Sequence, residues 1–176
     1  MAKVRKFAAY RRIERPYTRV SKYRKKNYIR ANPAIQIARF VMGNNRASYG
    51  YTLRLVSKED LQIRSNAIES ARLTCNKMIE DELGKTGYVI RVNKYPHHIL
   101  RENPLASGAG ADRMSTGMAA SFGKPIGHAA QVRRGETIFT VKTDKKNLQL
   151  ATKALHRASS KLPKGCYIKV SENKLG

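Results

Sequence analysis

Apolar positions along the chain change their period several times, and each change marks an element. Tyr51, Leu53 and Leu55 alternate with Thr52, Arg54 and Val56, which predicts a strand over 51–56, and a shorter alternating piece runs from Leu61 to Arg64. Upstream, Ile35, Ile37 and Phe40 to Met42 read as a short strand closed by a Gly43-Asn44 turn. Together these pieces predict a β meander with one polar face. From Asn66 the period lengthens: Ile68, Ala71, Cys75, Ile79 and Leu83 recur at helical spacing until Gly84, and Asn66 with Glu69 three residues on has the form of a capping box. The stripe assigns Cys75 to the core rather than to chemistry. Tyr88, Ile90 and Val92 then alternate with Val89, Arg91 and Asn93, and Ile99 and Leu100 are expected to continue that strand beyond Pro96.

Periodicity stops after Leu100. Residues 101–112, RENPLASGAGAD, carry almost no large apolar groups and predict a mobile loop, of a length that is usually either functional or disordered. Asp112 is placed to cap a short helix over 113–121 ending at Gly123. Two strands, 126–132 and 137–143, are expected around the turn Arg133-Arg134-Gly135. A last helix follows Thr143 or Asp144, with Leu148, Ala151, Leu155, Ala158 and Leu162 on one side and Lys146, Lys153, Arg157 and Lys161 on the other. Pro163 and Gly165 end it, and residues 167–170 make a final strand. Two substantial helices, one short helix and about seven strands predict the α+β class: a single compact domain over 31–176 with an antiparallel or mixed sheet, preceded by an arm over 1–30.

Charge separates the arm from the domain. The chain holds 36 Lys and Arg against 12 Asp and Glu, a net +24, which calls for a polyanionic partner. Residues 1–30 hold twelve of the cations and one acid, together with five of the thirteen aromatics. Arg5, Lys6, Arg11, Arg12, Arg15, Arg19, Lys22, Arg24, Lys25 and Lys26 are interleaved with rings such as Tyr17 and Tyr23. Cations neutralise phosphates and rings stack on unpaired bases, so the arm has the composition of an RNA-binding segment. A solvated basic arm with incidental tyrosines is the plainer alternative. The acidic run Glu80-Asp81-Glu82 is expected to face away from any nucleic acid.

Catalytic readings fail on spacing. Gly117 to Lys124 has five residues between its glycines and Pro125 after the Lys, so it is not a phosphate loop of the Walker type; Gly108-Ala109-Gly110 lacks the third glycine of a dinucleotide fingerprint. His97 and His98 adjoin and would point to opposite faces of a strand, His128 and His156 show no partner, and no carboxylate pair stands out. Cys75 and Cys166 form no CxxC, so neither a disulfide framework nor a zinc site is expected. No catalytic residues, no metal and no cofactor are expected. Neither a membrane span nor a secretory leader is readable, which points to a soluble cytosolic protein.

The strings LRENPLASGAGADRMSTGM (100–118) and FGKPIGHAAQV (122–132) resemble the signature of the large-subunit ribosomal protein family called L sixteen in bacteria and L ten-e in archaea and eukaryotes. The opening RRIERPYTR, the helix SARLTCNK and the closing helix and strand resemble the archaeal form, so the likeness covers nearly the whole chain. One departure is visible: the family commonly has an Arg where this chain reads Met118-Ala119-Ala120.

The resemblance implies an α/β-hammerhead-like core in a constituent of the cytoplasmic ribosome, seated at the base of the central protuberance. Its implied partners are large-subunit ribosomal RNA near the 5S RNA, transfer RNA and neighbouring ribosomal proteins. The Gly-rich loop would be directed toward the peptidyl transferase centre, with Asn103, Ser107, Gly108, Ala109, Gly110, Ala111 and Asp112 as its candidate residues. Arg101 and Arg113 flank that loop as expected phosphate anchors, with Lys124 beside them, and Lys146, Lys153, Arg157 and Lys161 offer a further RNA-binding stripe. A chromatin-like DNA binder and an RNA-modifying enzyme are the alternatives. The aromatic arm favours RNA over DNA, and no cofactor site is found for an enzyme.

Overall fold

The computed structural model describes residues 32–163 and 165–173 together with Ile13, Tyr23 and Lys25, leaving aside the side chains of Asp112 and Ala120. The other residues of the basic arm, and every RNA-binding assignment made on them, lie outside the described residues.

Among the described residues, eight strands form two sheets in which every pairing is antiparallel. The first sheet has five: β1 (Val41–Gly43), β2 (Tyr51–Ser57), β4 (Val89–Val92), β7 (Thr137–Thr143) and β8 (Cys166–Glu172), in the spatial order β1-β4-β7-β2-β8. The second has three, β3 (Leu61–Arg64), β5 (His98–Glu102) and β6 (Lys124–Val132), ordered β3-β6-β5. Helix α1 (Ser65–Leu83) packs on β3 and β6, α3 (Leu148–Ser159) packs on β2, β7 and β8, and the two helices pack on each other. One core results, in which Leu53, Leu55, Ile63, Ile68, Cys75, Ile90, Phe139, Val141 and Leu155 are buried.

The helical stripes sit where their spacing put them. Ile68, Ala71, Cys75 and Ile79 of α1, Ala151, Leu155 and Ala158 of α3 and Leu162 beyond it are buried, Leu83 and Leu148 are partly so, and Ala154 adds to the buried side. Burial pushes the Cys75 thiol up to about 12, so it stays a protonated packing group at neutral pH.

Four local expectations are corrected. Residues 35–40 join no strand: the segment is held by single bonds, with the Ala38 N–H donating to Glu69 and the Val92 N–H donating to the Phe40 carbonyl. Helix α1 begins at Ser65 with Arg64 as its N-cap, two positions before the expected Asn66 and without a side-chain cap, because Glu69 is bonded to Arg72 and Ala38 and Asn66 is exposed. Ile99 and Leu100 do not extend β4, since the chain leaves the first sheet at Asn93 and Pro96 is buried in the passage to β5. The expected β meander does not form: β1 pairs with β4, β2 with β7 and β8, and β3 with β6, so none of the three pairs with another, and β6 and β7 stand on either side of the expected turn in different sheets.

The crossing between sheets is tied at one place. The Gly135 N–H donates to the Ser57 carbonyl, the Arg134 N–H to Asp60 at 2.7 Å, and Glu136 accepts from Lys94 at 2.6 Å. Burial pushes the Glu136 carboxyl up, but bonds from Lys94 and the Arg133 N–H, with the charges of both residues, hold it below the ordinary carboxylate value.

Candidate nucleic-acid interface

Strands β5 and β6 pair up to Glu102 opposite Lys124, and the 21 residues between them form one projection. The expected loop at 101–112 is therefore redrawn. Arg101 and Glu102 belong to β5, while Ala111 and Asp112 open the one-turn helix α2 (Ala111–Met114), with Gly110 at its N-cap. Asp112 thus lies within the turn and does not cap it. A second single turn over Gly117–Ala120 completes the return, so the expected helix over 113–121 is two separate turns.

The root of the projection is fastened from three sides. The Arg101 guanidinium carbon lies 3.9 Å from the centroid of the Phe122 ring, and Arg101 Nη1 donates to the Phe122 carbonyl at 3.1 Å. Asn103 donates to the Gly117 carbonyl across the loop at 3.1 Å. Gly123 has φ +76°, and a Cβ there would stand 2.7 Å from the Glu102 carbonyl carbon, so only glycine fits. Arg101 thereby holds the loop's base, and Asn103 is half-buried beside it.

Beyond that root the side chains turn to solvent. Residues 104–110, including Ser107, Gly108, Ala109 and Gly110, are all exposed, as are Arg113 and Lys124. Met114 is 85% exposed and Met118 69%, large values for apolar side chains. Ala119, at the departure from the family pattern, is exposed too.

The helix stripe is present and solvent-facing. Lys153 and Arg157 lie one turn apart on α3, Lys146 in the 3-10 turn just before it and Lys161 just after its end, and all four are exposed. Tyr23 and Lys25 in the arm are also exposed. The arm's root reaches the second sheet: His128 Nε2 lies 2.7 Å from the Pro33 carbonyl, to which it must donate, because a carbonyl oxygen only accepts. The sequence left His128 without a partner, and a bond to a main-chain carbonyl 95 residues away has no sequence signal.

One group of cations was not singled out from the sequence. Arg54 on β2, Arg91 on β4, Lys142 on β7 and Lys169 on β8 are exposed and share one face of the five-stranded sheet. The opposite face carries Met42, Ile90, Val141 and Leu53, all in the core. The period-two alternation of each strand holds the signal; only the register unites it.

These features define a class: a strongly basic α+β domain whose cations stand on open surfaces. Comparison with known proteins gives the class its family. The family described as "Ribosomal protein L16p/L10e" matches residues 18–169. The chain is 47% identical over 165 residues to the large ribosomal subunit protein uL16 of Methanococcus maripaludis strain S2, covering 94% of this chain and 92% of the relative. It is 45% identical to uL16 of Archaeoglobus fulgidus, covering 88% and 85%, and 44% identical to that of Thermofilum pendens, covering 84% of each.

The chain belongs to the ribosomal L16p/L10e family. It is a structural constituent of the large subunit of the cytoplasmic ribosome and not an enzyme. Among the described residues no helix is long and apolar enough to cross a membrane.

Proposed function

We propose that the protein binds large-subunit ribosomal RNA near the central protuberance and the 5S RNA, and extends the projection over 103–123 toward the transfer-RNA sites and the peptidyl transferase centre. The observation that carries this reading is the close likeness to archaeal uL16 over nearly the full length of both chains. The projection supports it. Its backbone is bare from Ser107 to Ala111, so its N–H groups can approach phosphate and ribose oxygens closely, while its root is fixed by Arg101, Phe122 and Gly123. The arm and the Lys146, Lys153, Arg157 and Lys161 stripe supply further cations for RNA.

Reconstitution tests the reading. Subunits assembled with the protein should retain it near one copy after a moderate-salt wash. Replacing residues 103–111 with a short Gly-Ser linker should preserve thermal unfolding and incorporation while lowering transfer-RNA binding and peptide-bond formation. Normal activity in both assays would remove the loop from the function. Loss of the protein in the wash would refute stable assembly.

A further inference from the structure

We propose that the open face of the five-stranded sheet is a docking surface for the sugar-phosphate backbone of a ribosomal RNA helix. The inference rests on the reading of the protein as an RNA-binding ribosomal constituent and assigns it a fourth surface, distinct from the arm, the projection and the α3 stripe.

Register places the cations in order. One row across the sheet runs Val41, Arg91, Thr140, Arg54, Lys169, and the next runs Gly43, Val89, Lys142, Thr52, Ser171. Neither row contains an acid. The groove over them, about 530 Å³, is lined by Arg54, Arg91, Lys142, Asn93, Asn173 and further residues, again without an acid. With strands about 4.8 Å apart, Arg54 and Lys169 are direct cross-strand neighbours and Arg91 stands two strands away on the same row.

Arg54 opposite Lys169 is a like-charge pair in register, an arrangement that disfavours the isolated sheet. A bound polyanion reverses its sign. Guanidinium forks match phosphate oxygens bidentately, and lysines reach them as point charges. Asn93 Nδ2 donates to Thr140 Oγ1 at 2.9 Å, which leaves the Thr140 hydroxyl hydrogen to donate between Arg91 and Arg54, where a phosphate or a ribose 2′-hydroxyl would lie.

The kind of nucleic acid follows from what the rows lack. Neither contains an aromatic ring; the exposed ring on this face, Tyr167, stands in the next row opposite Val56, on the edge strand β8. A cationic groove whose central rows hold no stacking group suits the backbone of a duplex, recognised by shape, better than a run of unpaired bases. An acidic protein segment is the competing occupant.

The full chain and its Arg54→Gln, Arg91→Gln, Lys142→Gln, Lys169→Gln variant are titrated with large-subunit RNA and with a blunt RNA duplex across a salt series. Each lost phosphate contact removes roughly 0.7 to 0.9 from the slope of log affinity against log salt, so the variant's slope should fall by about 3 on both probes. Lys169→Gln alone, on the edge strand β8, should remove about 0.8 and guards against a quadruple variant that fails to fold. In the unsubstituted complex Lys142 and Lys169 should be protected from acetylation while exposed Lys77 on α1 stays reactive.

Unchanged slopes in both variants, or unprotected Lys142 and Lys169, overturn the sheet assignment while leaving RNA binding intact. Failure of the unsubstituted protein to bind large-subunit RNA overturns the RNA reading itself, and this inference with it. Polyglutamate that binds the parent and not the variant, with duplex affinity equal in both, assigns the face to an acidic protein instead.

Discussion

Arg101 covers the ring of Phe122 from across the β5–β6 ladder and donates to the same residue's carbonyl, so two strand ends are joined where the 21-residue projection begins. The pair holds the loop's direction, since the residues beyond it make few contacts with the domain. Phe122→Ala should cost less than about 1 kcal/mol of global stability, as expected for an exposed cation–π contact. Amide exchange over 104–121 should nevertheless rise several-fold while the core amides of β2 and β7 keep their rates. Hydrogen exchange with mass spectrometry reads both, and equal protection of the loop in the two proteins would deny the clamp its role.

Gly43 faces a harder limit. At φ +86° a Cβ would stand 2.1 Å from the Tyr88 carbonyl oxygen, an acceptor for the Asn44 N–H, so Gly43→Ala must break the β1–β4 pairing. A loss of about 3 kcal/mol is expected from the clash and the strained backbone combined. Chemical denaturation measures it. A stability within 0.5 kcal/mol of the parent, roughly the scatter of harmless surface changes, would contradict the geometry.

Acid should weaken the tether of residues 33–40. A bond from Arg72, aided by the Ala38 N–H and Arg72's charge, holds Glu69 below its ordinary value of 4.5 against the opposing effect of burial. A carboxyl lowered by folding contributes stability above 4.5 that is lost as pH falls through the lower folded value. Glu69→Gln should therefore be less stable at pH 7 and should lose less than the parent on acidification below 4.5. Parallel pH–stability curves for the two proteins would refute the assignment.

The arm and the α3 stripe make separable contributions to RNA affinity. Deleting residues 1–30 removes twelve cations, and loss of about five phosphate contacts would lower the salt slope by roughly 4. Replacing Lys146, Lys153, Arg157 and Lys161 with Gln should leave the melting temperature unchanged and weaken incorporation into subunits, because all four side chains are exposed. Incorporation and salt resistance equal to the parent would make the stripe a solvated face only.

Elements that bury one stripe were readable from the sequence, because a period is a local property. Both long helices and the strands over 51–57, 61–64 and 137–143 fall where alternation or helical spacing put them. Long-range partners had no such signal. Ile37 is buried although residues 35–40 pair with no strand, Glu69 serves Arg72 and Ala38 instead of a cap, and the step between Asn93 and His98 is a change of sheet that alternation cannot record. The site divides likewise. The loop and the helix stripe could be located from composition and spacing, whereas the sheet's cations come from four strands as far apart in sequence as Arg54 and Lys169.

Strand β2 is flanked on one side by β7 and on the other by β8, so both of its ladders wait for residues 137–172. During synthesis this delays closure of the sheet until almost the whole domain has left the exit tunnel. Leu53 and Leu55 stay uncovered meanwhile, on a nascent chain that is already rich in positive charge. Such a chain is open to premature attachment to any nearby polyanion until β8 arrives.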